Sequence, residues 1–226
     1  MKKKTIIIVA IVLVVAALVI LLAYLFPRNR RYDEEEVMAA ASELITAATE
    51  LNEIYYGKGI SFLENSSHNI SIYREADPMS LEKYGIKTVS QLKQKTLEVF
   101  ADSHAESMFE SAFSGTFAQN GTSNMSRYYQ KYDDKGVNPI CIMVRSDYEP
   151  LMNSENIYDM SSLKVEGSKR EYVYVTIDVT VISGDNIQEQ TLKIRLIEEE
   201  DGWRVSSTTF ANYNELQDIY DELQKS

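Results

Sequence analysis

The chain predicts an α+β protein: an N-terminal transmembrane helix, then helices packed on one face of a curved antiparallel sheet, a meander. Three observations carry this. Residues Ile6 to Phe26 are 21 consecutive positions without a charge. Three segments before Gly115 carry apolar residues at helical spacing. From Arg127 to Val205 the apolar positions alternate with a period of two. Helices first and strands afterwards make separate layers rather than βαβ units.

An apolar run of this length spans a bilayer as a helix. Its aliphatic residues cover every face rather than one stripe, unlike a surface helix of a soluble domain. Ile6, Val9, Leu13, Ala17, Leu21 and Phe26 are the membrane-spanning residues along it. A cleaved signal peptide has an apolar core of about 7–15 residues and a small-x-small site. Here the run ends Leu22-Ala23-Tyr24-Leu25-Phe26-Pro27, and no cysteine for a lipid anchor precedes Tyr32. Lys2, Lys3 and Lys4 favour the amino terminus inside, whereas Arg28, Arg30 and Arg31 pull the other way. The short tail decides for N-in, C-out. The expectation is a single-pass cell-membrane protein with residues 1–31 as anchor and flanks and 32–226 as one extracytoplasmic domain.

Charge sharpens that picture. The 226-residue chain has 23 Lys+Arg and 34 Asp+Glu. Six of the basic residues flank the anchor, which leaves 17 basic against 34 acidic side chains in the domain, a balance of −17. Such a surface repels nucleic acid and anionic lipid and favours basic partners or bound cations. Cys141 is the single cysteine, so no intrachain disulfide forms. The sequons at Asn65, Asn69, Asn120 and Asn124 read as polar loop composition.

The first helix carries Val37, Ala41, Leu44, Ala48, Leu51 and Tyr55 on one stripe. Asp33 to Glu36 sit at its positive end, and Gly57 and Gly59 stop it. A short strand follows over Asn69 to Arg74, then a turn at Asp77-Pro78. Thr88 and Gln91 form a capping box before a helix with Val89, Leu92, Thr96 and Phe100 on one side. A second box, Ser103 to Glu106, opens a helix that buries Met108, Phe109, Ala112 and Phe113, and Gly115 ends it. Arg127–Tyr132 and Ile140–Arg145 pair as a hairpin around Asp133 to Gly136. Leu163 to Val165 starts another strand. Val173, Val175, Ile177, Val179 and Val181 then share one face of the clearest strand. Ser183 to Asn186 turns it, Leu192, Ile194 and Leu196 alternate in the next, and Asp201-Gly202 leads into Trp203 and Val205. Asn212 to Lys225 predicts a closing helix.

The first helix ending in Ile54-Tyr55-Tyr56-Gly57, the capped helix pair, and the meander closing on Asp201-Gly202-Trp203-Arg204-Val205 resemble the nuclear transport factor 2-like cone fold. The run Val89 to Phe113 followed by Tyr128 to Gly136 resembles the bacterial DL-endopeptidase-inhibitor family. This second resemblance covers about Ile70 to Phe210. It implies a non-enzymatic, extracytoplasmic inhibitor of cysteine-type hydrolases that cut peptidoglycan stem peptides. The family's dGxLY signal stands here as Lys135-Gly136-Val137-Asn138-Pro139, a departure.

Catalytic signals are weak. His68 and His104 have no second ligand at metal spacing, so neither a metal nor another cofactor is expected. Cys141 lies inside an apolar strand, an inert setting. Ser80-x-x-Lys83 and Ser90-x-x-Lys93 have the spacing of a penicillin-binding nucleophile, but no K-T-G follows. Asp178 faces away from the valines of its strand. The partner-binding candidates are therefore two acidic hairpin tips and their tyrosines: Asp133 and Asp134 with Tyr128, Tyr129 and Tyr132, and Glu198, Glu199, Glu200 and Asp201. Tyrosine gives large contact area at low entropic cost. The expected role is binding of a protein partner, a cell-wall hydrolase by the resemblance. A self-associating scaffold subunit of an envelope assembly or a ligand-binding cone domain are the alternatives.

Overall fold

The computed structural model describes residues 31–114, 126–152 and 154–211. The chain begins its described course at helix α1 (Glu34–Tyr55). The Asp33 carboxylate accepts from the backbone N–H groups of Glu35 at 2.9 Å and Glu36 at 3.3 Å, so the cap is the acid immediately before the helix. Glu34, Glu35 and Glu36 fill the first turn, where the helix dipole favours them. The whole predicted stripe is buried, joined by Ile45, Asn52 and Ile54. Gly59 adopts a positive φ of 79°, and a Cβ there would collide with Arg127 and the Tyr128 hydroxyl. Both backbone and neighbours therefore require glycine.

Strands β1 (Phe62–Leu63) and β2 (Tyr73–Ala76) follow, then helices α2 (Pro78–Lys83), α3 (Val89–Val99) and α4 (Asp102–Phe109). Helix α4 runs into one π-helical turn, Glu110–Ser114. Strands β3 (Tyr128–Tyr132), β4 (Pro139–Arg145), β5 (Glu155–Lys169), β6 (Tyr172–Ser183), β7 (Asn186–Glu199) and β8 (Gly202–Val205) complete the described chain. The architecture is α+β.

The strands form two four-stranded antiparallel sheets, with orders β1-β2-β4-β3 and β5-β6-β7-β8. The expectation of one meander is corrected here. Only β5 to β8 are a meander. The first sheet exists because β2, which precedes the helices in sequence, returns to pair with β4: Tyr73 lies opposite Arg145 and Glu75 opposite Met143. Long-range pairing of this kind leaves no mark in local periodicity.

Inner faces of both sheets and the helices share one core. Val173, Val175, Ile177, Val179 and Val181 from β6 meet Ile142, Val144 and Tyr128 from the first sheet and the buried stripe of α1. Burying each such aliphatic side chain contributes roughly 1.5–3 kcal/mol. Polar ties lock the helices to this core. Tyr55 Oη and Thr96 Oγ1 join α1 to α3 at 2.9 Å. The Ala101 N–H donates to the Val205 carbonyl at 2.9 Å, fastening the α3–α4 joint to β8.

Four local expectations are revised. The strand placed over Asn69–Arg74 begins only at Tyr73, because Ile70 and Tyr73 close a tight turn through a reciprocal backbone pair and Ser71 takes φ 55°. Asp77-Pro78 is a helix start: Asp77 caps α2 and Pro78 occupies its first turn, where the missing N–H costs nothing. The Ser103 box does not form. Helix α4 starts two residues earlier than a Ser103 cap would have it, its cap position is Ala101, and no side chain caps it. The Ala101–Val205 bond has already fixed where that helix begins. The strand at Leu163–Val165 extends over all of β5, with register shifts between Asp159 and Lys164 and between Val165 and Gly167. Bulges of this kind blur the alternation that sequence reading depends on.

Among the described residues no helix is long and apolar enough to cross a membrane. The predicted span through Ile6, Val9, Leu13, Ala17, Leu21 and Phe26 lies outside those residues, as do Gly115, Asn120, Asn124 and the predicted closing helix Asn212–Lys225.

Candidate functional site

The β3–β4 hairpin is built to present its tip. Asp133 N–H donates to the Asn138 carbonyl at 2.9 Å, and Gly136 N–H donates to the Asp133 carbonyl at 2.8 Å. The Asp133 carboxylate accepts from Val137 N–H at 2.9 Å and Asn138 Nδ2 at 2.7 Å. These bonds, the Val137 one foremost, hold its carboxyl below the usual carboxylate range. Gly136 turns the chain with φ 68°. The braced loop leaves three large apolar side chains in solvent: Val137 is 69% exposed, Tyr132 50% and Ile140 45%. Exposed apolar groups gathered on a rigid loop are the usual material of an interface core.

The structure separates the predicted partner-binding residues into different roles. Tyr132 and Asp134 are exposed at the tip. Asp133 is there too, but its carboxylate is spent on the turn. Tyr129 is half-buried and packs edge-on against Tyr73, with ring centroids 4.8 Å apart. Tyr128 is fully buried, which removes it as a contact residue. Its hydroxyl donates to the Ile54 carbonyl at 2.8 Å and accepts from the Ile60 N–H at 3.2 Å, and burial pushes its pKa up to about 12. The alternation of β3 turns Tyr128 to the core and Tyr129 away from it, a distinction the tyrosine cluster hides until the inward face is known. Linear reading places Val137 just after the turn and Ile140 at the start of a strand, and marks neither as a contact residue. Both aliphatics follow the four-residue polar turn Asp133–Gly136, with Asn138-Pro139 between them.

The β7–β8 tip is different. Glu198 and Glu200 are exposed, Glu199 is half-buried, and Asp201 accepts from Arg204 Nη2 at 2.6 Å. Arg204 Nε in turn donates to the Leu97 carbonyl of α3 at 2.8 Å. Trp203 Nε1 donates to Glu36 Oε1 in the first turn of α1 at 3.0 Å. This acidic tip is a clasp holding both helices onto the meander.

A cleft of about 600 Å³ lies between the end of α1, the 150–156 segment and β5–β6. Asn52, Glu53, Lys58, Met152, Tyr158 and Phe210 are among its walls. Two of its acids are engaged: Glu50 pairs with Lys95 at 3.0 Å, and Glu53 accepts from Lys58 N–H at 2.9 Å. Asn52 donates to Thr209 Oγ1 at 2.7 Å, and the Tyr158 phenol, raised to about 12 by burial, donates to the Thr209 carbonyl at 2.6 Å. The Asn52 amide and the Tyr158 phenol thus brace the cleft wall through Thr209, while Lys58 lines it exposed to solvent.

The remaining candidates fall into place. Asp178 is exposed and accepts from Thr191 Oγ1 at 2.6 Å, on the sheet face away from the core. Ser80 Oγ accepts from Ser61 N–H at 3.1 Å, whereas Lys83 lies over the Tyr84 ring and Lys93 over the rings of Phe109 and Phe113. Each lysine of the two Ser-x-x-Lys pairs thus sits over an aromatic ring. His104 stacks on Phe100 at 5.0 Å; burial, with the Arg195 charge, lowers its pKa to about 4. His68 does gain ligating neighbours. Its Nδ1 lies 3.1 Å from Glu75 Oε2, and a ligand atom of each of His68, Glu75 and Cys141 lies within 4.8 Å of the others. Sequence spacing could not show this, because the cluster is assembled by the β2–β4 pairing. No family model matches this chain, and no curated protein matches it.

Proposed function

We propose that this chain is a membrane-anchored, non-enzymatic protein-binding domain whose β3–β4 hairpin tip enters the groove of a partner. The observation that carries this is the braced tip with Tyr132, Val137 and Ile140 in solvent. A preorganised loop loses little entropy on docking. The acidic balance of the domain and Asp134 beside the apolar tip favour a groove with basic rims. The sequence resemblance points to extracytoplasmic cysteine-type wall endopeptidases as the partner class. The mechanism is then steric occlusion of the active-site groove, with the Ile6–Phe26 helix keeping the domain at the membrane face.

The test is inhibition of stem-peptide cleavage by the full-length chain in nanodiscs. Saturable inhibition is expected, weakened by salt and abolished in the triple variant Tyr132→Ser, Val137→Ser, Ile140→Ser. Uninhibited cleavage in the presence of the folded chain would remove the hydrolase as partner.

A second reading, self-association, is favoured by a different surface. Ile157 and Ile187 are 50% and 65% exposed near one end of the meander, and the β5–β6–β7 register puts both on the face away from the core. Concentration-dependent oligomers that dissociate with Ile187→Ser support this reading over occlusion.

A further inference from the structure

The first sheet has a second, small apolar cluster on its outer face. Tyr73, Cys141 and Met143 are buried there, with Ile72 and Tyr129 packed against them. At the rim of that cluster the soft and hard donors converge. Cys141 Sγ lies 3.6 Å from Met143 Sδ. Glu75 lies opposite Met143 across the β2–β4 pair, and Lys131 opposite Cys141 across the β3–β4 pair. His68 Nδ1 approaches Glu75 Oε2 at 3.1 Å. The three ligating atoms of His68, Glu75 and Cys141 all fall within 4.8 Å of one another. That is the span of ligands around one tetrahedral ion after small side-chain adjustments.

The loop that supplies His68 is held in advance of any ligand. Asn69 Nδ2 donates to the carbonyls of Leu63 at 3.1 Å and Glu64 at 2.9 Å, and Asn69 Oδ1 accepts from Glu75 N–H at 2.9 Å. Ser66 Oγ accepts from His68 N–H at 3.1 Å and itself bonds Glu75 Oε2. Lys131 Nζ donates to the His68 carbonyl at 3.2 Å. The Glu75 carboxylate is oriented by Ser66, and the backbone of His68 is held on both sides, by Ser66 at its N–H and by Lys131 at its carbonyl. The side chains of His68 and Glu75 keep 36% and 20% of their surface in solvent. An ion thus has a path to the thiol, which is itself buried. Burial, with the Glu75 charge, raises the Cys141 pKa, and Lys131 works against the rise. A cation beside the sulfur would reverse the effect of both burial and Glu75.

We propose that His68, Glu75 and Cys141 form a binding site for a divalent zinc-class ion, with Met143 Sδ or water in the fourth position. One nitrogen, one carboxylate oxygen and one thiolate suit zinc, which accepts all three. Binding exchanges the thiol proton for the cation and releases that proton to solvent, so affinity rises with pH. The site would tie the loop before β2 to the centre of the sheet that carries the β3–β4 hairpin.

The full-length chain in detergent, stripped of metal, is titrated with Co2+ as a spectroscopic probe for Zn2+. The expected result is one equivalent bound, a thiolate-to-cobalt charge-transfer band with tetrahedral d–d absorption, and loss of both on adding Zn2+. Cys141→Ser abolishes the charge-transfer band while far-ultraviolet circular dichroism stays unchanged. Ser66→Ala, which removes no ligand but deletes the hydroxyl bonded to the Glu75 carboxylate, weakens binding on the order of tenfold or more by freeing Glu75. Absence of a charge-transfer band in the reduced wild-type chain overturns the proposal. So does equal Co2+ affinity in Cys141→Ser and wild type, which would mark loose binding to surface carboxylates.

Discussion

The two sheets of this molecule are held in place by different routes. The meander β5–β8 is made of neighbours in sequence, and its β6 strand repeats one rule: apolar inward, polar outward. Val173, Val175, Ile177, Val179 and Val181 are all buried; on the other face Tyr174 and Thr180 are half-buried and Asp178 exposed, with Thr176 alone buried there. The first sheet is made of strands separated by the helices, and β4 at its centre is apolar on both faces. Ile142 and Val144 face the core, and Cys141 and Met143 face the outer cluster. Its position depends on individual bonds: Tyr128 Oη to Ile54 and Ile60, and Arg127 Nη2 to the Gly57 carbonyl at 2.7 Å. Redundant packing tolerates small losses, whereas a sheet pinned at few points concentrates them.

Four measurements break or sharpen this contrast. The largest effect is expected in the meander core. Ile177→Ala removes a fully buried side chain at the middle of β6 and costs about 3–4 kcal/mol by urea unfolding. A loss well below 2 kcal/mol would mean that this region relaxes around cavities. Next comes Tyr128→Phe, which keeps the ring but strands a carbonyl of α1 and the Ile60 N–H. It costs about 2 kcal/mol, since each buried unpaired group costs roughly 1–3. If the first sheet is pinned as described, amide exchange in β3 and β4 accelerates in this variant while exchange in β6 does not.

The third is a pH effect where α4 meets the core. The folded state lowers the His104 pKa from 6.5 to about 4 through burial and the charge of Arg195. The unfolded chain therefore binds more protons between these values. Stability is complete above about pH 6.5 and declines as pH falls toward 4. Partial exposure of this ring keeps the loss below that of the core substitution. His104→Gln flattens the melting temperature between pH 6.5 and 4 relative to wild type; parallel profiles would assign the decline to other groups. The smallest effect on stability is at the hairpin tip. Val137→Ser changes unfolding by less than about 0.5 kcal/mol, because the side chain is exposed and the turn is braced by Asp133. Its effect belongs to partner binding alone.

The same contrast explains how much was legible. Helix α1 was readable from end to end, because its cap, first-turn acids and buried stripe are all local. The β6–β7 hairpin was readable for the same reason. The Thr88 cap held, with Gln91 reaching Lys87 N–H at 2.7 Å. The Ser103 cap failed, because a tertiary bond from Ala101 to Val205 had priority over a local one. In the site, the acidic tips were found by composition. Composition could not tell that Asp201 clasps Arg204 while Asp134 stays exposed, nor that Tyr128 points into the core.

What the amino-acid sequence determined by itself is whatever depends on neighbours in the chain: the apolar run Ile6–Phe26, helices α1 and α3, the β6–β7 and β7–β8 hairpins and the α+β class. Side-chain period and capping chemistry act within a few residues, so a linear reading finds them. Tertiary structure alone decided that β2 returns beside β4, that His68 and Glu75 meet Cys141, and that Val137 rather than Tyr128 faces solvent. Those outcomes follow from burying one shared core beneath two sheets, and that energy is summed over residues far apart in the chain.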